Sequence, residues 1–442
     1  MPTQAEKALK HIAHAENKTR FIPGLSEDIG AKDIAKVGII GAGTMGGGIA
    51  MCFAGAGIPV ILHENNKEAL NRGLGVIEKN YTISCKKGRL KSEEVDARLA
   101  LITGSLDISN LKSCDLVIEA VFENMDLKKE IFRTLDNICK KGAILATNTS
   151  TLDVNEIASV TGRPEDVLGL HFFSPANVMP LLEVVRGDKT SPLALKTAME
   201  IAARINKIPV ISGVCFGFIG NRMLAGYGRE AQRMLLEGAA PKDIDSVLED
   251  FGMRMGVLAV YDLAGIDVGH KIRQALGKNL PDDPTYFKAG AIMFKAGRFG
   301  QKTKAGFYRY KKGTRQRFDD EEVGRLMQAA AQELGVAQRN LSPGEILERC
   351  IFPLINEGAR ILEEGIALRA SDIDVVWTSG YGFPKERGGP MFYADTIGLE
   401  KVLEGVQRYR EIFGPEFWTP APLLLSLTKD GKKFSDWDRE NA

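Results

Sequence analysis

The sequence predicts an α/β protein: a domain built on a parallel sheet, followed by a half that is all helix. Three observations predict it. A glycine-rich turn joins one short β-rich run to a helix of small residues and then to a second β-rich run. Strand-like apolar runs recur as far as residue 212 and almost stop after it. The helical half uses the same words twice, Glu-Gly before a turn and Asp-Ile-Asp after it.

Taken in order, residues 5–21 read as one polar helix, ended by Pro23 and Gly24. KVGII (36–40) is the first strand, GAGTMGGGIAMCFAGAG (41–57) the small-residue helix and IPVILHE (58–64) the second strand. Residues 66–112 are charged and mostly helical, with a hairpin tip in KKGRLKSEE (86–94). CDLVIEAVF (114–122) and GAILATNTS (142–150) are buried strands. Between them Leu127, Ile131, Leu135 and Ile138 line one face of a helix. VLGLHFF (167–173), LLEVV (181–185) and IPVIS (208–212) are further strands, with a helix near 192–206. In the helical half, residues 229–252 and 356–382 share the repeated words. Pro241 starts a helix in the first copy, and Ser371 with Asp374 forms a capping box in the second. The weaker echo of YDLAGID (261–267) in YADTIGL (393–399) supports duplication. The expected domains are therefore 1–35, 36–212, 213–315, a connection at 316–344, and 345–442 as a repeat of 213–315.

Composition bounds the function. The chain of 442 residues carries 58 Lys and Arg against 57 Asp and Glu, a net charge of +1, which argues against nucleic acid as the main partner. No apolar run approaches the roughly 18 residues that a membrane-spanning helix needs. Six cysteines are scattered singly and no metal-ligand spacing is present, so no metal is expected and the thiols read as reduced. Together with an N-terminus lacking a signal-peptide core and a C-terminus lacking a peroxisomal tripeptide, this leads to an expected cytoplasmic location.

Gly41, Gly43 and Gly46 form G-x-G-x-x-G between a strand and a helix, with Glu64 closing the next strand. Gly41 permits a tight turn, Gly43 admits a pyrophosphate to the backbone, and Gly46 lets helix and sheet pack closely. The helix N-terminus then offers free N–H groups to negative phosphates. A carboxylate at Glu64 accepts a ribose 2′-hydroxyl and repels a 2′-phosphate, so NAD is favoured over NADP. The fold expected is a Rossmann-type NAD-binding domain followed by duplicated all-α C-terminal domains.

One of only five histidines, His171, lies within an apolar run, and Glu183 lies within the next. The loop SPANVMP (174–180) separates the two strands. Folding about Asn177 brings residue 171 opposite residue 183. An imidazole that ionises near neutrality, oriented by a carboxylate, suits a general base. Alcohol oxidation needs such a base together with polar groups at the oxygen. Ser150, at the end of ATNTS, and Asn221, opening the first helix after the sheet, are candidates, although either residue type also serves as a helix cap.

The chain resembles the L-3-hydroxyacyl-CoA dehydrogenase family of fatty-acid β-oxidation, and most closely the dehydrogenase half of its multifunctional hydratase/dehydrogenase members. The resemblance rests on VGIIGAGTMGGGIA (37–50), EAVFEN (119–124), ATNTSTL (146–152), GLHFFSPANVMPLLEVV (169–185), GFIGNRM (217–223), the 255–267 stretch ending DLAGID, and GRFGQKTKAGFY (297–308). It implies His171 as catalytic base with Glu183 as its partner, and Ser150 and Asn221 as contacts to the substrate hydroxyl. Positions lining NAD would be Gly41, Gly43, Thr44, Met45, Gly46, Glu64, Val121, Phe122, Glu123, Lys128, Ser150 and Ser174. Tyr381 matches a substrate-side position, and Lys86, Lys87 and Arg89 are placed to meet the phosphates of an acyl-CoA thioester.

There are departures. Ser174 stands where many members have Asn, and Arg254 and Val257 where prolines are usual. Only a helix like 5–21 precedes the dehydrogenase motifs, so no hydratase chemistry is expected. Two other readings compete: a β-hydroxyacid dehydrogenase acting on small free acids, and a non-enzymatic NAD-binding scaffold. The resemblance implies that short members, with a single helical copy, pair through it as homodimers. Two copies in one chain lead to an expected monomer.

Overall fold

The computed structural model describes residues 2–26, 28–277, 280–311, 314 and 316–441. They form two compact units. One comprises residues 9–221, 361–381 and 437–441 and holds the sheet; the other comprises 2–8, 222–360 and 382–436 and is largely helical. The boundaries expected at 212, 315 and 344 do not coincide with these units.

The sheet unit contains β1 (Val37–Ile40), β2 (Val60–His63), β3 (Ile102–Ser105), β4 (Leu116–Glu119), β5 (Ile144–Thr147), β6 (Val167–Phe172), β7 (Leu181–Val185) and β8 (Ile208–Ser212). Their order is β3-β2-β1-β4-β5-β6-β7-β8, and every neighbouring pair is parallel except β6–β7. Alternation builds the core. Val37, Ile39, Leu116, Ile118, Ile144 and Ala146 face one side. There they meet Ile49 and Phe53 of α2 (Thr44–Gly55) and Leu70 and Ile77 of α3 (Lys67–Lys86). Ile40, Val117 and Leu145 face the other side, against Phe132 and Leu135 of α5 (Met125–Ile138). Each such fully buried Val, Leu, Ile or Phe side chain contributes about 1.5–3 kcal/mol relative to leaving it in water.

Three expectations need correction here. β3 lies inside the stretch read as helical. It is a four-residue edge strand, largely exposed, and carries no apolar run for a periodicity argument to find. Of the expected α5 stripe, Leu135 is fully buried and Ile131 and Ile138 pack partly buried against the core, but the innermost face also takes Phe132 and Lys128, because a carboxylate beneath the helix receives the lysine. The Ser371–Asp374 capping box does not form. Instead Asp438 caps the helix Ala370–Gly380, accepting from the N–H of Ala370 at 2.5 Å and from the N–H and hydroxyl of Ser371 at 3.1 and 2.8 Å. Asp374 instead meets Nε2 of His11 at 2.8 Å.

The helix Ala370–Gly380 belongs to the sheet unit, although the sequence places it in the second helical copy. Gly213 N–H donates to Ile366 O at 2.7 Å, and Arg369 donates to Phe21 O at 2.7 Å. A Cβ on Gly380 would come within 2.5 Å of a terminal methyl of Leu181, so the helix end approaches β7 closely and a larger residue would force that side chain to shift.

In the helical unit, residues from the two expected copies are buried against one another. Arg349, fully buried, donates to Glu230 at 2.9 Å and to both oxygens of Glu237 at 2.8 Å. Phe251 packs edge-on against Phe383 and Tyr393, with centroids 5.6 and 5.1 Å away. The motif 297–308 has a structural role: Asp262 accepts from the N–H groups of Phe307 and Tyr308 at 2.9 Å, and a Cβ on Gly306 would collide with its carboxylate.

Candidate active site

β6 and β7 pair in the register that places His171 directly opposite Glu183. The Nδ1–H of His171 donates to Glu183 Oε2 at 2.6 Å. His171 is 6% exposed and Glu183 is fully buried. With Nδ1 carrying the proton, Nε2 holds the lone pair, and among the described residues it meets no hydrogen-bond partner. The other oxygen of Glu183 accepts from the N–H of Gly220 at 3.0 Å. Gly220 opens α8 (Gly220–Leu236), so a buried negative charge sits at the positive end of a helix. The next residue is Asn221. One carboxylate thus holds both the imidazole and the start of the helix that carries Asn221. The sequence signalled Glu183, but the Gly220 contact had no signal.

Asn221 Oδ1 accepts from the Tyr381 hydroxyl at 2.8 Å, which leaves the amide N–H₂ to face a ligand. The tyrosine ring stacks on Trp377 and meets Phe173 edge-on. Burial, with the nearby Glu183 charge adding to it, pushes the Tyr381 phenol well above its ordinary value, so it stays a donor. The Tyr381 hydroxyl thus meets Asn221, the residue that the resemblance places at the substrate hydroxyl.

Ser150 lies in the turn after β5. Its N–H and hydroxyl both donate to Glu123 Oε1, at 2.8 and 3.1 Å. The same oxygen accepts from the hydroxyls of Thr149 and Thr151 and from the N–H of Thr151. Burial opposes the Glu123 charge, but Lys128 and these donors outweigh it and hold the carboxyl below its ordinary range. Asn148 accepts from Phe172 N–H at 3.0 Å, tying this turn to the strand of His171. Lys128 lies behind the site: its side chain is fully buried and donates to both oxygens of Glu119 at 2.7 and 2.8 Å. It supports the Glu123 loop through its charge, 3.7 Å away, and offers no surface to a cofactor. Glu119 was missed in the sequence, although an acid inside CDLVIEAVF is the same signal that exposed Glu183.

The glycine turn fits a dinucleotide. Gly41 has φ +100° and Gly46 backs onto it so closely that a Cβ would lie 1.8 Å from Gly41 O. A Cβ on Gly43 would meet nothing within 4 Å, and no side chain caps α2. Backbone N–H groups therefore face open space at a helix N-terminus. Glu64 follows β2, and its Oε2 accepts from Ala42 N–H at 3.1 Å, which sets the carboxylate against the turn. Val121 and the 85%-exposed Phe122 follow β4, next to β1 where the strand order reverses. Met45 is half-buried and Thr44 and Ser174 are exposed. Lys86, Lys87 and Arg89 are exposed where α3 turns toward α4 (Ser92–Ala100), remote in sequence from the His171 strands. Among the described residues no cluster suits a metal ion.

The family described as 3-hydroxyacyl-CoA dehydrogenase, NAD binding domain, matches residues 36–215, and its C-terminal domain matches 217–310 and 344–435. The chain belongs to the 3-hydroxyacyl-CoA dehydrogenase family. It therefore carries that family's NAD-binding domain, ahead of a helical C-terminal region. It is 44% identical over 418 residues to a peroxisomal bifunctional enzyme of Danio rerio, covering 90% of this chain and 57% of that one. The chain thus spans less than two thirds of the length of such relatives. Among solved structures it is similar to a 3-hydroxybutyryl-CoA dehydrogenase from Escherichia coli, with TM-score 0.77 and 26% identity over 92% of this chain and all of the other. It is also similar to the dehydrogenase part of multifunctional enzyme 1 from C. elegans, with TM-score 0.69 and 33% identity over 95% and 96% of the two chains. The cytoplasmic expectation is overturned by the relatives, which are named as peroxisomal and glyoxysomal enzymes.

Proposed function

We propose that the chain catalyses the reversible NAD-dependent oxidation of (S)-3-hydroxyacyl-CoA thioesters to 3-ketoacyl-CoA. The observation that carries this reading is the buried His171–Glu183 pair: among the described residues Nε2 has no hydrogen-bond partner, and the same carboxylate holds the start of the helix that carries Asn221. Nε2 takes the hydroxyl proton. Glu183 holds the tautomer and stabilises the imidazolium that results. Asn221 donates to the oxygen as charge develops on it, and Ser150, tethered to Glu123, is the second polar group there. Gly41, Gly43, Thr44, Met45 and Gly46 hold the pyrophosphate, Glu64 the ribose, and Val121, Phe122 and Ser174 line the strand ends. When bound, NAD supplies the carbon that accepts the hydride. Lys86, Lys87 and Arg89 offer charge to the CoA phosphates. Initial rates of NADH oxidation with 3-ketoacyl-CoA thioesters, compared with the free 3-keto acids, test the reading; turnover of the free acids alone would sink it.

Replacing Glu64 by alanine is expected to narrow the preference for NAD over NADP by about 10- to 100-fold in kcat/KM, the worth of a hydrogen bond to a charged group. The ratio measured with both cofactors checks this, and a wild type that prefers NADP would refute the assignment.

Tyr381→Phe is expected to lower kcat about 10-fold, since the Asn221 amide is then free to turn its oxygen toward the developing negative charge. In an Asn221→Ala background the same change should cost little more, because the pair acts as one unit. Additive losses would instead indicate direct substrate contact.

A single-chain state and a peroxisomal setting complete the proposal. The burial of Arg349 against Glu230 and Glu237 within one chain supports the first, since the first helical copy already has a partner. Light scattering should give the mass of one chain; a stable dimer would contradict it. The names of the relatives support the second, and imaging of the tagged protein in its own cells tests it.

A further inference from the structure

The turn that joins β8 to α8 contains a costly feature. Phe218 has φ +52°, a left-handed conformation that bulky residues avoid, and it follows Gly217, also left-handed at φ +79°. Its side chain is fully buried. The turn is held by Phe218 N–H donating to Cys215 O at 3.2 Å and by the Cys215 thiol donating to Phe218 O at 3.3 Å. A glycine at 218 would make the same turn without strain. What an aromatic residue adds is a ring 5.6 Å from the imidazole of His171, tilted by 55°. The ring of Phe173 lies 4.4 Å from the same imidazole, tilted by 45°. Among the described residues these two phenyl rings make no ring contact with each other, and each meets the imidazole separately. Two residues further on, the turn delivers the Gly220 N–H to Glu183.

We infer that Phe218 is a positioning residue for the base: with Phe173 it clamps the His171 imidazole, fixing the ring plane so that Nδ1–H stays on Glu183 and Nε2 stays turned toward substrate. This rests on the proposed dehydrogenase reaction. Strain retained at a functional site is the expected mark of such a device. The competing reading is that Phe218 only fills space among Val154, Val185 and Val214.

Phe218→Leu separates the two, because leucine keeps the apolar bulk and loses the aromatic face; Phe218→Met serves if the leucine variant does not fold. The expected result is a fall in kcat on the order of 10-fold, as small misplacements of a reacting group cause. KM for the thioester and NADH affinity should stay within about twofold, because neither binding surface changes. The low-field proton resonance of His171 Nδ1–H should shift or broaden. Wild-type kcat with an unchanged resonance would make Phe218 a filler and overturn the inference, as would equal losses in kcat and NADH affinity. If the wild type turns over no thioester, the proposed reaction fails, and the Nδ1–H resonance by itself decides whether the clamp exists.

Discussion

His171→Ala is expected to lower kcat by about 10² to 10⁴, the usual contribution of a positioned general base, while NAD affinity barely changes. The reason is geometric. His171 lies on β6, whose neighbour β7 carries Glu183, while the glycine turn follows β1 on the far side of β4 and β5. Removing the imidazole empties the proton acceptor without touching the dinucleotide cradle. The remaining donors, Asn221 and Ser150, still polarise the oxygen, so a residual rate is expected. Single-turnover rates and NADH binding measured on one preparation check both halves. Near-normal turnover would remove His171 from the mechanism. A parallel loss of NADH binding would mean that the sheet had been disturbed.

For Glu183→Gln we expect a comparable loss, about 10² to 10⁴ in kcat, as when a triad carboxylate is made an amide and the imidazole takes the wrong tautomer. Glu183 accepts on both oxygens, from His171 Nδ1–H at 2.6 Å and from Gly220 N–H at 3.0 Å. Glutamine has one carbonyl oxygen. If that oxygen faces Gly220, the amide N–H₂ faces Nδ1 and forces the ring proton onto Nε2, which can then no longer accept. If it faces His171, two N–H groups oppose each other at the start of α8, in a fully buried place where an unsatisfied donor costs about 1–3 kcal/mol. The first arrangement destroys catalysis and the second weakens the helix start that carries Asn221. Measuring kcat beside the thermal midpoint distinguishes them. An unchanged kcat and pH–rate profile would exclude the carboxylate from the reaction.

Much of this was legible in the chain itself. The βαβ unit announced itself because glycine spacing, apolar alternation and a closing acid coincide within thirty residues. The His171–Glu183 pair was legible because a two-strand hairpin fixes which residues face each other once its loop is located. Buried charges inside apolar runs carry the same message at Glu119, where it went unread.

Other features required the folded molecule, because they depend on contacts between residues far apart in sequence. The helix Ala370–Gly380 reads as part of a second helical copy, yet it packs with the sheet unit, where Asp438 caps it and its end brings Tyr381 to Asn221. Lys128 reads as a cofactor contact and is instead drawn under α5 by Glu119, since a buried ammonium needs a carboxylate within reach. Local periodicity and turn chemistry decide strands, helices and registers, because those depend on neighbours along the chain. Which polar groups end up paired depends on distances that only packing sets, and the orientation of Asn221, Ser150 and the His171 imidazole was therefore decided by the tertiary structure.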